Sequence, residues 1–181
     1  MLEQRIQQQF FDSSDLALRA AEVLVRPIAD ATAALLSALT GGGKVMVAGA
    51  AAGQSLAHHM ARLLTGRFER ERPPLAGLAL ALGADAAQQV RALGSPGDVL
   101  LYIDDGEGHS SLVITAAQDR DMTIVVLAGL GAHAFGELLA ETDVLVAVPH
   151  ERAARVTELQ LMVLHILCDA VDFQLLGEQD P

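Results

Sequence analysis

One stretch decides the fold of this chain, Lys44-Val-Met-Val-Ala-Gly-Ala-Ala-Ala-Gly-Gln-Ser55. The short apolar run at 45–48 is typical of a buried strand, Gly49 permits a turn, and an apolar helix is predicted from about Gln54. A strand, a glycine turn and a helix start form the usual cradle for a phosphate, because free backbone N–H groups and the positive end of the helix dipole face the anion. Residues 50–53 are all small and offer no hydroxyl donor. The stretch therefore predicts the scaffold of a ligand loop, with Gly49 and Gly53 in it, that lacks the hydroxyl groups of a phosphate site.

A second glycine-led stretch, Gly97-Asp-Val-Leu-Leu-Tyr-Ile103, predicts another buried strand, and an acidic loop follows it. Asp104, Asp105 and Glu107 crowd the point where an anion would sit. Two like charges about 4 Å apart repel by roughly 4 kcal/mol at an intermediate dielectric, which disfavours a phosphate. Carboxylates are ligands for a hard cation, but acidic loops are more often simply solvated. We favour the solvated loop and expect neither a metal nor a cofactor.

Composition limits the classes of function. The chain has 181 residues, enough for one domain with a full core, and a formal net charge of −11. This acidity argues against direct nucleic-acid binding, which needs a basic patch, and leaves room for a basic protein partner. Cys168 is the one cysteine, so no internal disulfide can form. No signal peptide or uninterrupted apolar run of 18 residues appears, so we expect a soluble cytoplasmic protein outside any membrane.

Strands and helices alternate through the middle of the chain. Runs such as Thr123-Ile-Val-Val-Leu127 lack polar alternation, so both faces of these strands should be buried. The pattern predicts an α/β fold, a five-stranded parallel sheet flanked by helices in a flavodoxin-like three-layer sandwich. Ligands in such folds bind at the carboxyl ends of the strands, where both glycine loops lie. The predicted elements are N-terminal helices at 1–26 and 27–40, strands at 44–48, 76–82, 98–103, 122–127 and 143–148, and helices at 54–66, 84–93, 110–119, 133–140 and 151–176.

The last predicted helix, Arg152–Leu176, is apolar nearly all round. One subunit has too little surface to cover such a helix, so burial against another subunit is expected. The amphipathic N-terminal helices favour the same interpretation. We therefore predict a homo-oligomer, a tetramer or at least a dimer, formed through the first and last helices.

Six phrases along the chain form an informative set, namely Leu64-Thr-Gly-Arg-Phe68, Glu71-Arg-Pro-Pro-Leu75, Gln89-Val-Arg-Ala-Leu-Gly94, Arg120-Asp-Met-Thr-Ile124, His165-Ile-Leu-Cys-Asp169 and the ending Gln179-Asp180. Together these phrases resemble the sugar isomerase (SIS) domain family, in its phosphoheptose isomerase branch. The resemblance covers almost the whole chain, which it implies is one SIS domain at 1–181, with N-terminal helices at 1–40, an α/β core at 41–150 and a long C-terminal helix at 151–176. Within the branch the chain looks most like the initiator-associating (DiaA) subgroup, whose members are non-enzymatic tetramers that bind the replication initiator DnaA.

The resemblance also implies a site, which this chain matches only in part. The isomerases place a metal-binding His and a Glu four residues later on one helix, and a Gln and a His on the last helix. Here His59 and His165 match, whereas Leu63 and Thr157 stand at the other two positions. Two of four ligands are too few for a closed zinc site. A family segment of about 14 residues before Gln89-Val-Arg-Ala-Leu-Gly94 is also missing.

Other candidate residues have plain structural interpretations. His59 and His165 also fit hydrogen-bonded core or interface histidines. Ser55, Ser110 and Ser111 fit helix caps. His109 beside Asp105 resembles an acid/base pair, but no supporting nucleophile is evident. No catalytic residue is therefore assigned, and the vestigial ligand site comprises Gly49, Gly53, Ser55, His59, Asp104, Asp105, His109, Ser110 and His165.

These observations favour a non-catalytic oligomer that regulates by binding a protein, and the resemblance implies DnaA as that protein. Leu175 and Leu176, at the end of the apolar last helix, are the candidate contact. Two alternatives stay open at this point. One is a phosphosugar isomerase with an altered site, and the other is a sensor of a sugar phosphate or another small molecule.

Overall fold

The computed structural model describes residues 1–50, 52–81, 84–104 and 111–178. Its centre is a five-stranded parallel sheet in the order β2-β1-β3-β4-β5. This α/β architecture, with helices on both faces, confirms the predicted fold class. The strands are β1 (Val45–Gly49), β2 (Gly77–Ala79), β3 (Val99–Ile103), β4 (Thr123–Ala128) and β5 (Val144–Ala147), and the helices are α1 (Leu2–Thr40), α2 (Ala52–Thr65), α3 (Ala84–Leu93), α4 (Ser111–Gln118) and α5 (Ala153–Leu176).

The sheet is covered on both faces, as continuous apolar strands require. Successive side chains of a strand point to opposite faces, so Val45 and Val47 pack with α1, α2 and α5. Met46 and Ala48 instead pack with α3 and α4. All five residues of β1 and of β3 are buried.

The strand order reverses at β1, which lies between β2 and β3. Gly49 pairs in register with Ile103, so the loops after β1 and β3 leave the same edge of the sheet side by side. A ligand site in an open α/β sheet is expected at such a switch point.

The N-terminal region differs from the prediction of two helices. Residues 2–40 form one helix, α1, with Pro27 inside it. Proline removes one backbone donor and crowds the carbonyl four residues earlier. The packing of Leu24, Ile28 and Leu35 into the core holds the helix together across that point. Long-range packing therefore outweighs the local tendency of Pro27 to end the helix.

Two further elements differ in extent or type. Strand β2 is only three residues long, whereas 76–82 was predicted. The chain at 133–140 is not an α-helix, and a 3-10 helix occupies Leu130–Phe135 instead. The buried ring of Phe135 anchors this short element in the α3 and α4 side of the core.

Helices α1 and α5 carry more apolar surface than the subunit covers. An 18-residue window of α1 has a mean hydropathy of 1.4, and one of α5 has a mean hydropathy of 1.5. By length and composition alone, both helices could cross a membrane. Only 28% of the α1 window and 44% of the α5 window are buried. The two helices contact each other along the same side of the sheet.

Candidate functional site

Two histidines from distant parts of the chain meet between α2 and α5. The Nε2 atoms of His59 and His165 lie 2.8 Å apart, a hydrogen-bond distance, although 106 positions separate them in sequence. Both side chains are half-buried. The pair joins two of the residues that the sequence marked as candidates.

The surroundings of the pair set its proton affinity. The Phe68 ring lies 5.4 Å, centroid to centroid, from the His165 ring. A guanidinium nitrogen of Arg62 lies 3.4 Å from Nδ1 of His59. The pKa of His59 is lowered below its ordinary value, and burial is the largest cause. The positive charges of His165 and Arg62 lower it further, in that order. His59 is therefore neutral at neutral pH and able to accept a proton.

The other residues expected around the pair do not suit a resident metal. Leu63 is buried and apolar, and Thr157 is half-buried. The two histidines thus supply two nitrogen donors, whereas a catalytic zinc site uses three protein ligands. Within the described part of the chain, no three His, Cys, Asp or Glu side chains cluster closely enough to hold a metal ion. The donor set at His59 and His165 does not fit the family's metal.

The glycines of the first loop serve packing. A Cβ on Gly49 would lie 2.3 Å from the carbonyl carbon of Gly53, and a Cβ on Gly53 would lie 2.5 Å from the Ile103 oxygen. Both distances are far below van der Waals contact, so only glycine allows α2 to approach β1 and β3 this closely. The N–H of Gly53 donates to the Ala50 oxygen at 2.7 Å. The Gly53 N–H therefore has a partner within the loop, and a ligand role for Gly49 and Gly53 stays a prediction.

Gln54 is a polar residue at this edge of the sheet that is not among the candidates predicted from the sequence. Its Nε2 donates to the Leu80 carbonyl at 2.8 Å and lies 3.1 Å from Nε2 of His58. Its buried Oε1 has no hydrogen-bond partner among the described residues. A cavity of about 60 Å³ lies at the same edge of the sheet, lined by Ala48, Gly49, Ala50, Ala81, Ala86, Tyr102 and Val113. No periodicity or motif in the sequence marks Gln54.

The acidic loop begins in the core. Asp104 is fully buried, and its carbonyl accepts a 2.6 Å hydrogen bond from Gln160 on α5. A fully buried Asp104 does not belong to a solvated loop, so that interpretation is wrong at this position. The remaining predicted positions of this loop lie outside the described residues, namely Asp105, Glu107, His109 and Ser110.

The serines predicted to cap helices and the leucines predicted to contact a partner lie in different parts of the fold. Ser55 lies inside α2, which begins at Ala52, so it does not cap that helix. Ser111 is the first residue of α4. Leu175 is 36% exposed and Leu176 is half-buried at the end of α5, far along that helix from His165.

Comparison with known proteins gives one consistent answer. The model of the SIS domain family matches residues 9–129. A phosphoheptose isomerase from Methylibium petroleiphilum is 52% identical, over 99% of this chain and 98% of its own. One from Azoarcus sp. is 40% identical, over 97% and 98%. The solved phosphoheptose isomerase of Neisseria gonorrhoeae superposes with a TM-score of 0.85 at 31% identity, over 95% of this chain and 99% of its own.

The alignment lengths also bear on the missing segment. The alignment with the Methylibium protein spans 196 positions, whereas this chain has 181 residues. At least 15 of those positions therefore have no counterpart in this chain. That number is close to the length of the segment, about 14 residues, that this chain lacks according to the family resemblance.

The same comparisons overturn two expectations. The resemblance to the DnaA initiator-associating subgroup is not supported, because these relatives are phosphoheptose isomerases. The prediction of a non-catalytic regulator of replication, based on degenerate loops and ligand positions, is contradicted by 52% identity to a phosphoheptose isomerase over nearly the whole chain. That prediction gave too much weight to the unusual loops. The chain belongs to the SIS domain family, and within it to the phosphoheptose isomerase family.

Proposed function

We propose that this protein is an isomerase of phosphorylated sugars that acts on a heptose phosphate. The observation that carries the proposal is the 52% identity to the Methylibium phosphoheptose isomerase over 99% of the chain. The contact between His59 on α2 and His165 on α5 supplies two imidazole groups that can exchange a proton.

An aldose–ketose isomerisation moves a proton between adjacent carbons. A base removes the proton from the hydroxyl-bearing carbon beside the carbonyl, and the carbonyl oxygen gains a proton to give an enediol. A proton then adds to the former carbonyl carbon, while the other hydroxyl loses its proton and becomes the new carbonyl. The steps are redox-neutral overall and need one group that accepts and one that donates a proton. In this scheme the pair of His59, with its lowered pKa, and His165 accepts the proton as a unit and returns it, passing it across their 2.8 Å contact.

The test is turnover of sedoheptulose 7-phosphate by the purified full chain. We expect activity above that of a heat-inactivated sample, and loss of at least about a hundredfold in His59→Asn and in His165→Asn, the size of a general acid–base contribution. His58→Asn is the matched control, because His58 is the neighbouring histidine on the same helix and its side chain is exposed. A wild-type rate equal to the inactivated sample contradicts the proposal.

We also propose that the active form contains more than one copy of the chain. Helices α1 and α5 border a groove of about 380 Å³, and none of the described side chains that line it is charged. Met162 and Ile166 on α5 and Val25 on α1 are 45%, 41% and 67% exposed along it. An uncharged groove between apolar helices suits the same two helices of a second copy, since helices of this kind pack ridge into groove.

A further inference from the structure

The contact between His59 and His165 limits what the pair can hold. A hydrogen bond of 2.8 Å between two ring nitrogens requires one nitrogen to donate and the other to accept. Two histidines on one tetrahedral zinc, each at about 2.0–2.1 Å, would have nitrogens about 3.3 Å apart and both deprotonated. The observed distance therefore fits a shared proton, and the rings would have to separate to admit a metal ion.

The charges around the pair favour the same conclusion. Leu63, one helical turn after His59, puts a buried hydrocarbon where a carboxylate would neutralise a divalent cation. Within the described residues, the charged side chain that contacts the pair is Arg62, a cation. A second cation beside this guanidinium would be repelled.

Arg62 also determines which nitrogen carries the proton. A guanidinium has donors and no acceptor, so the Nδ1 of His59 that it faces at 3.4 Å must be the accepting nitrogen. Neutral His59 then carries its proton on Nε2 and donates it to Nε2 of His165. His165 in turn carries its own proton on Nδ1.

We propose that His59 and His165 form a metal-independent, proton-sharing pair, and that Arg62 is a positioning residue that selects the Nε2–H form of His59. This inference deepens the proposed isomerase function and rests on it for its catalytic meaning. It assigns the proton of the isomerisation to the pair itself, where the family's residue pattern implies a metal ion.

Zinc binding by the full chain tests the metal part. In calorimetry with zinc chloride, the wild-type protein should show no 1:1 binding that depends on the pair. The matched variant is Leu63→Glu with Thr157→Gln, which restores the two missing ligand types. This double variant should bind one zinc ion at least a hundredfold more tightly than the wild-type protein does. Wild-type 1:1 binding that His59→Asn and His165→Asn each abolish would overturn the proposal.

Nitrogen-15 spectra of labelled histidines test the tautomers. We expect protonated Nε2 and bare Nδ1 in His59, the reverse in His165, and no change on adding equimolar zinc. Arg62 is exposed, so its replacement should leave the fold intact. Arg62→Ala should give mixed tautomers at His59, whereas Arg62→Lys should keep the single form. An unchanged single form in Arg62→Ala would remove Arg62 from the mechanism.

These readouts separate the two proposals. Zinc calorimetry and the histidine spectra need no turnover, so a failed sugar-phosphate assay would contradict the isomerase function alone. An active enzyme that loses turnover on chelation and regains it with zinc would contradict metal independence and leave the isomerase function standing.

Discussion

Arg72 and Asp172 form an ion pair in which the side chains are 1% and 2% exposed, with 2.5 Å between Nε and Oδ1. Arg72 comes from the segment after α2, and Asp172 lies in α5. The same guanidinium donates to the carbonyls of Leu63, Leu64 and Gly66, so it also satisfies the C-terminal end of α2. One side chain thus ties together the two helices that carry His59 and His165.

Replacing this arginine should be costly. We expect Arg72→Met to lower the free energy of unfolding by about 3–5 kcal/mol, because it leaves a buried carboxylate without its partner. Urea unfolding of the full chain measures the change. Adding Asp172→Leu removes the unpaired charge and should recover part of the loss. A double variant no more stable than Arg72→Met would show that the lost carbonyl contacts, and not the stranded charge, dominate.

Gly53 should tolerate no larger residue. An added methyl group would meet the Ile103 backbone oxygen at 2.5 Å, so either α2 or β3 must shift. We expect Gly53→Ala to destabilise the protein by about 1–3 kcal/mol, the usual cost of overpacking. Gly131→Ala is the matched control, because a Cβ there meets nothing within 4 Å. Equal melting temperatures for the two variants would contradict the packing role of Gly53.

Stability should depend on pH through His59. Since its folded-state pKa lies below the ordinary 6.5, the unfolded chain binds more protons than the native chain just below pH 6.5. Stability therefore rises as pH increases through this window and levels off above it. His59→Gln should show a smaller increase between about pH 5 and 7 in urea unfolding. Identical slopes for wild type and variant would rule out this contribution.

The assembly proposal predicts which residues matter at the groove. Met162→Asp should place a charge in an apolar interface and lower the mass seen by light scattering to that of the 19.0 kDa chain. Leu112→Asp is the control, because Leu112 is 57% exposed on α4, across the sheet from α1 and α5. Leu164→Asp is unsuitable, since Leu164 is fully buried inside the subunit and its charge would unfold the chain. A wild-type chain of monomer mass contradicts the proposal outright.

Strands were predictable because their signal is local. Apolar runs at 99–103 and 123–128 are buried on both faces by any parallel sheet, so composition alone located β3 and β4. The break at Pro27 was wrong because the long-range contacts of Leu24 and Leu35 outweigh one lost backbone hydrogen bond. Local propensity decides an element only where tertiary packing is weak.

The site was less predictable than the fold. His59 and His165 could be marked as candidates one by one, but their contact depends on how α2 and α5 cross. Gln54 and Arg62 carry no sequence motif, and they gain meaning only from the atoms they face. Conversely, the small residues Gly49 and Gly53 stand out in the sequence, and the structure shows that their smallness allows α2 to pack closely on the strands.

The pairing of α1 with α5 has a consequence for synthesis of the chain. Helix α1 is 39 residues long, about 58 Å at 1.5 Å per residue, and it is synthesised before α5. The helix that covers part of its apolar face begins only at Ala153, so that part of the face stays uncovered until α5 has been synthesised. A nascent chain halted before that point exposes an aggregation-prone surface. We therefore expect the uncovered face of α1 to be a chaperone-binding surface on the nascent chain until α5 is synthesised.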